Sequence, residues 1–317
     1  MPVDSSRIER RQVMQGLLVI AGSALLPNRG LLSASHESVT LDSNHVALLA
    51  DTHISENPEQ FVYGTRWPGA PYQDDEHEGV YMAECLRHVV DDIIAQNPRP
   101  AHALINGDCA YSNGRVGEYK EFARLIQPLQ AAGITVHVTI GNHDNRTTLW
   151  DEMPQLKKEA LGVQTTVVEL PKANLVLLDS GVGTFRPGQL DWLDEQLGLR
   201  PGKVALVFAH FNARPHQGIR PLKGMRDGDG GALLDLMGKH KHAKAFFHGH
   251  THQWKCSRWQ QIHVVSQPAV GYYFGKGHAH GWVNMKLTDS GATLQLRCVN
   301  NKHPEHQKQQ QLLWSSP

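Results

Sequence analysis

The sequence predicts an α/β domain from residue 46 onward. From that point, short apolar runs rich in β-branched residues alternate with amphipathic stretches, which is the pattern of strands interleaved with helices. Hydrophobic residues make up 40% of the 317 residues, enough to bury a sizeable core. The 31 basic and 31 acidic residues cancel. No broad positive field therefore favours bulk binding of nucleic acid or of an anionic membrane.

The elements follow from periodicity and from turn residues. Strands are predicted at 46–50, 103–106, 135–140, 175–178, 204–209, 245–247 and 262–266. Helices are predicted at 81–96, 117–127 and 189–197, with Pro98, Pro128 and Gly198 as their stops. Segments 282–287 and 292–298 predict a β-hairpin. The polar, glutamine-rich tail 300–317 is predicted to be loosely ordered, so the domain spans 40–299.

Two connections, 55–79 and 212–231, are long for a compact domain, and we interpret them as functional lids or as disordered segments. The second carries Arg214, His216, Arg220 and Arg226, which either bind phosphate or are solvated. His278 and His280 have metal-like spacing, but they lie outside the motifs described below and are predicted to be surface residues.

The first 35 residues have the layout of an export signal. Arg10 and Arg11 precede an apolar run at 17–26, and small residues follow at 33–35. The run is shorter than the roughly 20 residues that span a bilayer. The paired arginines resemble a twin-arginine signal. We expect a periplasmic or extracellular protein with no transmembrane segment in the mature chain; an uncleaved N-terminal tether is the alternative.

The four cysteines lie far apart in the sequence, which argues against a structural zinc site. We expect mostly buried thiols, with one pair oxidised if the protein is exported. The 20 histidines gain meaning only where they fall in motifs, because imidazole is both a common metal ligand and an ordinary surface group.

Five short polar motifs each follow a predicted strand. They are Asp51-Thr52-His53, Gly107-Asp108, Gly141-Asn142-His143-Asp144, the lone His210, and Gly249-His250-Thr251-His252. Loops beyond the carboxyl ends of strands gather at one edge of an α/β sheet, so the five motifs can converge. Residues at i and i+2 aim at one centre when the backbone is extended, and the glycines permit sharp turns. Mixed oxygen and imidazole ligands suit Mn, Fe or Zn better than Mg or Ca.

These motifs, in this order, resemble the calcineurin-like metallophosphoesterase family over residues 46–298. The resemblance implies a four-layer α-β-β-α sandwich of two mixed sheets flanked by helices. It also implies two divalent or mixed-valence metal ions about 3.5 to 4 Å apart, which activate a shared water. The first ion would be held by Asp51, His53, Asp108 and His252, and the second by Asp108, Asn142, His210 and His250.

The same resemblance makes His143 the general acid that protonates the leaving group, with Asp144 as its orienting partner. The Gly107-Asp108-x-x-Tyr111 segment is also similar to purple acid phosphatases, in which the tyrosine binds ferric iron. Those enzymes carry glycine in place of His53. We therefore favour His53 as the ligand and Tyr111 as a wall of the site.

The predicted function is hydrolysis of a small phosphate ester. Segments 117–129 and 179–193 resemble the branch that includes bacterial cyclic-nucleotide phosphodiesterases, which favours phosphodiesters. A phosphomonoesterase with the same site and a catalytically silent metal-binding scaffold are the alternatives. The sequence assigns no substrate-binding residue and no oligomeric state.

Overall fold

The computed structural model describes residues 39–62, 80–214, 224–226, 228–275 and 277–314. The predicted export signal lies outside these residues, as do 63–79 of the first long connection and 215–223 with 227 of the second. The lid interpretation of both connections therefore stays a prediction. None of the helices in the described ranges has the length and apolar character needed to cross a bilayer.

Two six-stranded mixed sheets form the centre of the domain. The first contains, in spatial order, β16 (Gln309–Leu313), β15 (Gly291–Cys298), β14 (Gly281–Leu287), β1 (Leu41–Leu49), β4 (Arg99–Asn106) and β5 (Thr135–Thr139). Strands β1, β4 and β5 run parallel, and β14 to β16 add to them antiparallel. The predicted hairpin is thus confirmed as β14 and β15.

The second sheet contains β12 (Lys255–Trp259), β13 (Ile262–Ser266), β11 (Ala243–His248), β10 (Val204–Phe208), β9 (Ala173–Leu177) and β8 (Thr166–Glu169). Its four inner strands run parallel, and both edge strands are antiparallel to their neighbours. Two small ribbons complete the strands: β2 (Phe61–Val62) with β3 (Val80–Tyr81), and β6 (Glu159–Ala160) with β7 (Val163–Gln164).

Helices cover the outer faces of both sheets. They are α1 (Met82–Ile94), α2 (Val116–Ala131), α3 (Arg146–Glu152), α4 (Gln189–Gly198) and α5 (Asp229–Lys239), with a short 3₁₀ turn at Pro154–Leu156.

Strand alternation explains the layering. In β1, Val46 and Leu48 face the second sheet, whereas Ala47 and Leu49 face helices α1 and α2. The second sheet likewise divides its residues between the inter-sheet core and the core under α4 and α5. Three apolar cores between four layers confirm the predicted α-β-β-α sandwich.

Helix α2 is longer than predicted. Pro128 was expected to stop it, but the helix continues to Ala131 with Pro128 in its last turn. A proline there removes one backbone hydrogen bond. The apolar face of α2 runs on through the buried Leu129, and this burial offsets the loss. The sequence also gave no prediction of α3, nor of α5, whose glycine-rich start resembles a loop.

The prediction of a loosely ordered tail was wrong for its central part. Residues Gln309–Leu313 pair antiparallel with β15 as an edge strand. Leu312 is buried in the inter-sheet core while the other residues of the strand face solvent. An edge strand needs only one buried side chain and its backbone hydrogen bonds, so its polar composition conceals it. The domain therefore extends past residue 299.

Two smaller predictions also had clear outcomes. Cys85, Cys109 and Cys298 are buried free thiols and Cys256 is half-buried, as expected for thiols. His280 was predicted to lie on the surface, but it is buried and stacks on the ring of Tyr273.

Candidate metal centre

All five motifs lie at the same edge of the domain, where the parallel strands end. The carboxyl ends of β1, β4 and β5 carry the first three motifs, and those of β10 and β11 carry His210 and the final motif. Asn106 ties the two sheets together at this edge. Its amide nitrogen lies 3.3 Å from the carbonyls of Ala209 and Phe247 and 2.7 Å from Oε1 of Gln267. Both sheets therefore present their loops to one space.

The first group of side chains surrounds Asp51. Its Oδ1 lies 3.2 Å from Nε2 of His252 and 3.9 Å from Nε2 of His53. The two Nε2 atoms are themselves 3.2 Å apart. Three ligand atoms thus meet within the reach of a single cation.

The second group surrounds Asp108. Its Oδ2 lies 3.2 Å from Nε2 of His210, and His250 belongs to the same group. The same oxygen lies 3.6 Å from Nε2 of His53 in the first group. Asp108 therefore stands between the two groups, as the resemblance implies.

The hydrogen bonds of two imidazoles indicate that these groups fit metal ions. Nδ1 of His252 lies 2.8 Å from the carbonyl of Tyr272, and Nδ1 of His210 lies 2.9 Å from the carbonyl of Asn106. A carbonyl oxygen only accepts, so each Nδ1 donates, and whenever such a ring is neutral its Nε2 lone pair points at a carboxylate oxygen. Two acceptors 3.2 Å apart repel unless a cation lies between them.

The charges of the site point the same way. Burial raises the pKa of Asp108, but the charges of His210 and His53 outweigh it and hold that pKa well below its usual value. Burial lowers the pKa of His53 and that of His250 to about 3. Carboxylates held ionised beside imidazoles held neutral are the protonation states that metal ligands require.

His210 behaves differently. Burial lowers its pKa, but the adjacent charge of Asp108 raises it to about 10. A proton on Nε2 would then take the place of a cation between this ring and the carboxylate, so a metal ion here would have to displace that proton.

The backbone at the candidate ligands is left-handed rather than extended. The φ angles are 52° at Asp51, 48° at His53, 50° at Asp108, 63° at His250 and 51° at His252. The assumption of an extended D-x-H segment was therefore wrong. Such conformations cost of order 1 to 3 kcal/mol each and persist only where the surrounding structure enforces them. Here they turn side chains from successive positions toward one centre.

The motif glycines are required mainly for space. A Cβ on Gly141 would lie 2.1 Å from Oδ1 of Asp108, and one on Gly249 would lie 2.5 Å from Oδ2 of Asp51. Only Gly107 among the three also has a positive φ, of 79°. The predicted sharp turn thus applies to Gly107, while the other two glycines let a carboxylate approach the backbone.

The loop formed by the motif Gly141-Asn142-His143-Asp144, called the GNHD loop below, places His143 beside the first group. Its ring packs edge-on against that of His53, with centroids 4.8 Å apart, and its backbone nitrogen donates to Oδ1 of Asp108. Nδ1 of His143 lies 2.7 Å from the carbonyl of Tyr111. The side chain of Asn142 is exposed, between two residues that both contact Asp108.

Asp144 was predicted to orient His143, but none of the hydrogen bonds of its carboxylate involves that ring. Its carboxylate accepts from the backbone nitrogens of Gly141, Ala110 and Cys109, and from the hydroxyl of Tyr119. The atom that holds Nδ1 of His143 is instead the carbonyl of Tyr111. The side chain of Tyr111 packs against the core under α1 and α2, in keeping with a wall.

Sequence reasoning missed a second support of this loop. Asp179, buried just beyond β9, accepts from Nε of Arg146 at 2.7 Å and from the backbone of Gln164. Arg146 begins the helix that follows the GNHD motif. The ion pair therefore ties a loop of the first sheet to one of the second. An aspartate directly after a strand, like the motif aspartates, was the only signal for it.

Known proteins match these features. The model of the calcineurin-like phosphoesterase family matches residues 45–254. A probable glycerophosphodiester phosphodiesterase from Arcobacter nitrofigilis is 26% identical over 232 residues, which cover 70% of this chain and 76% of that protein. A probable cyclic nucleotide phosphodiesterase from a Pseudoalteromonas species is 24% identical over 245 residues, 75% of this chain and 87% of that one.

Two solved structures share the fold. A dimetal phosphatase from Danio rerio superposes with a TM-score of 0.65 at 16% identity, covering 86% of this chain and 99% of that one. A purple acid phosphatase from yellow lupin superposes with a TM-score of 0.56 at 15% identity, covering 80% of this chain and 51% of that one.

Proposed function

Because the chain belongs to the calcineurin-like phosphoesterase family, we propose that it hydrolyses phosphodiesters with two metal ions. Asp51, His53, Asp108 and His252 would hold one ion, and Asp108, Asn142, His210 and His250 the other. The observation that carries this proposal is the placement of Asp108, whose Oδ2 lies near imidazoles of both groups.

The bound cations would supply positive charge that lowers the pKa of a water and neutralises the phosphoryl oxygens. The chain itself supplies rigidity. Carbonyls of Tyr272 and Asn106 fix the rings of His252 and His210, and such outer contacts typically change metal affinity or activity by about 10- to 100-fold. Most candidate ligands are buried, so little reorganisation is needed when a phosphate arrives.

His143 is proposed to donate the proton that the leaving alkoxide needs. The carbonyl of Tyr111 accepts the hydrogen of Nδ1, so Nε2 is the atom that exchanges a proton with substrate. The ring is only partly buried and stands beside His53. One of its ring nitrogens lies within 4.8 Å of the ligand atoms of His53 and Asp108, so it is close enough to reach a group bound at the metals.

Phosphodiesters are favoured over phosphomonoesters because the two relatives described above carry phosphodiesterase names. The test is to load the purified chain with Mn²⁺, Zn²⁺ or Fe²⁺, count metal per chain by elemental analysis, and compare bis(4-nitrophenyl) phosphate with 4-nitrophenyl phosphate. We expect two ions per chain and a higher kcat/KM for the diester. A higher value for the monoester would assign the alternative activity. Two bound ions without turnover of either ester would leave the scaffold role.

The choice of His53 over Tyr111 as ligand has its own test. We expect an iron-loaded preparation to lack a visible tyrosinate charge-transfer band, because the Tyr111 ring packs on the apolar core. A purple protein would reverse the assignment.

We also propose export, on the paired arginines and apolar run of residues 1–35. Fusing these residues to a reporter that is active only outside the cytoplasm tests it. Replacing Arg10 and Arg11 by lysine should abolish reporter activity if the signal is of the twin-arginine type.

A further inference from the structure

A cavity of about 330 Å³ opens next to the candidate metal centre but contains none of its ligands. Its lining includes Asn212 and Arg214 after β10, His248 and Thr251 around the last motif, and Lys255 and Trp259 of β12. Thr251 stands between His250 and His252, and Asn212 lies two residues beyond His210. The cavity therefore shares its walls with the loops that carry the metal ligands.

The lining of this cavity is cationic. Arg214 follows β10 and Lys255 begins β12, both side chains are exposed, and no aspartate or glutamate lines the cavity. Within the described ranges, neither cation pairs with a carboxylate. Two uncompensated positive charges around a concave space attract an anion.

Two further contacts make the cavity more than a charged surface. The guanidinium carbon of Arg214 lies 5.8 Å from the ring centroid of Trp259, which orients the arginine by a cation–π contact. Asn212 is buried, and its Nδ2 donates to the carbonyl of Arg214. That bond leaves Oδ1 as the free acceptor, and Oδ1 has no partner among the described residues. A buried acceptor without a donor calls for a ligand that supplies one.

We propose that this cavity binds a phosphate group in a form that carries one hydroxyl hydrogen. Arg214 and Lys255 would bind the charged oxygens, and the P–OH group would donate to Oδ1 of Asn212. Monohydrogen phosphate and monoprotonated phosphomonoesters have that donor, whereas sulfate has none. The cavity should therefore prefer phosphate to sulfate.

The test is calorimetric titration of the metal-loaded full chain with inorganic phosphate and with sulfate. Lys255→Ala and Arg214→Ala should each weaken phosphate binding at the cavity about tenfold, the typical loss of a charge-assisted hydrogen bond. Lys239→Ala is the matched control, because Lys239 is an exposed lysine at the end of α5 that does not line the cavity. Phosphate bound at the metals contributes equally to all variants, since none of these residues is a proposed ligand. Phosphate binding equal to that of the unchanged chain in Lys255→Ala and Arg214→Ala would overturn the proposal, as would equal affinity for sulfate and phosphate at the cavity.

The phosphate can come free from solution or as a second group on the molecule whose ester is cleaved; the second source rests on the proposed function. Thymidine 3′-(4-nitrophenyl phosphate), with and without a 5′-phosphate, distinguishes them. A kcat/KM raised by the 5′-phosphate in the unchanged chain, but not in Lys255→Ala, assigns the cavity to the substrate. Equal kcat/KM values for the esters with and without the 5′-phosphate in the unchanged chain assign the cavity to free phosphate. If neither ester is hydrolysed, the proposed function fails. The titration still shows whether the cavity binds phosphate.

Discussion

Two pairs of histidine rings contact each other in this protein at the same separation. Nε2 of His53 and Nε2 of His252 lie 3.2 Å apart beyond the ends of the strands. Nδ1 of His102 and Nε2 of His137 also lie 3.2 Å apart, within the neighbouring strands β4 and β5. Judged by the distance between imidazoles alone, the two sites are equivalent.

The neighbouring charges separate them. Oxygens of Asp51 and Asp108 lie within 4 Å of the first pair. The charges that act on His137 are those of His102 and Lys158, which are both basic. One N–H···N hydrogen bond is enough for the second pair, whereas in the first pair Nε2 of both rings also faces Oδ1 of Asp51, at 3.2 Å from His252 and 3.9 Å from His53. A metal centre thus depends on converging carboxylates more than on clustered histidines.

The largest effect is expected from removing the carboxylate that joins the two groups. Asp108→Asn keeps the shape of the side chain but not its charge, so the first pair would keep the carboxylate of Asp51 alone and the second group would lose its carboxylate. We expect the metal content to fall and kcat/KM for bis(4-nitrophenyl) phosphate to drop on the order of 10⁴-fold. Asp289→Asn, at a side chain that is 90% exposed, is the control and should change neither quantity. Full metal content in Asp108→Asn would count against a shared ligand.

A smaller loss is expected at the histidine that contacts the first pair without belonging to it. His143→Ala should retain both metals and lose on the order of 10² in kcat for an alkyl ester, as is typical for a lost general acid. With a 4-nitrophenyl leaving group, which needs little protonation, the loss should be much smaller. Equal losses for both leaving groups would remove the assigned role.

A still smaller effect should follow from loosening the GNHD loop. Arg146→Gln leaves the buried carboxylate of Asp179 without its cation. We expect about a tenfold weaker affinity for the second metal, measured by competition with a chelator, because the loop that carries Asn142 loses its anchor. Arg124→Gln breaks an exposed ion pair with Glu121 on α2 and serves as the control. Unchanged metal affinity in Arg146→Gln would show that the loop is held by Asp144 alone.

The second histidine pair should affect stability and leave activity unchanged. Burial, reinforced by the charge of His102, lowers the pKa of His137 from its ordinary value of 6.5 to about 4. Below pH 6.5 the unfolded chain takes up a proton that the folded chain refuses until about pH 4. The free energy of unfolding should therefore decrease as the pH is lowered from 6.5 to 4, by up to about 3 kcal/mol from this residue.

Urea unfolding at pH 7 and at pH 4.5 measures that contribution. His137→Gln should reduce the pH dependence while leaving metal content and kcat/KM at pH 7 unchanged. His88→Gln, at an exposed histidine of α1, is the control and should retain the full pH dependence. Loss of metal in His137→Gln would erase the distinction between the two pairs.

Much of this architecture could be predicted because strands and motifs are local patterns. The apolar runs that became β1, β4, β5, β10 and β11 were visible in the sequence, and each ended at a motif. The polar edge strand β16 and helix α5 were missed because solvent-facing residues and initial glycines resemble loops. Pro128 was misread because burial of Leu129, which decides the end of α2, is a tertiary effect.

The sequence by itself determined the identities of the candidate ligands and their positions after strands, since hydrophobic periodicity and residue chemistry are encoded locally. Only the tertiary structure decided how those side chains are aimed. The left-handed backbone at the candidate ligands, the carbonyls of Tyr111, Asn106 and Tyr272 that fix the rings, and the use of Asp144 as a backbone anchor all depend on contacts between distant segments. Such contacts exist only once both sheets have packed, because the energy that holds a strained loop comes from the core beneath it.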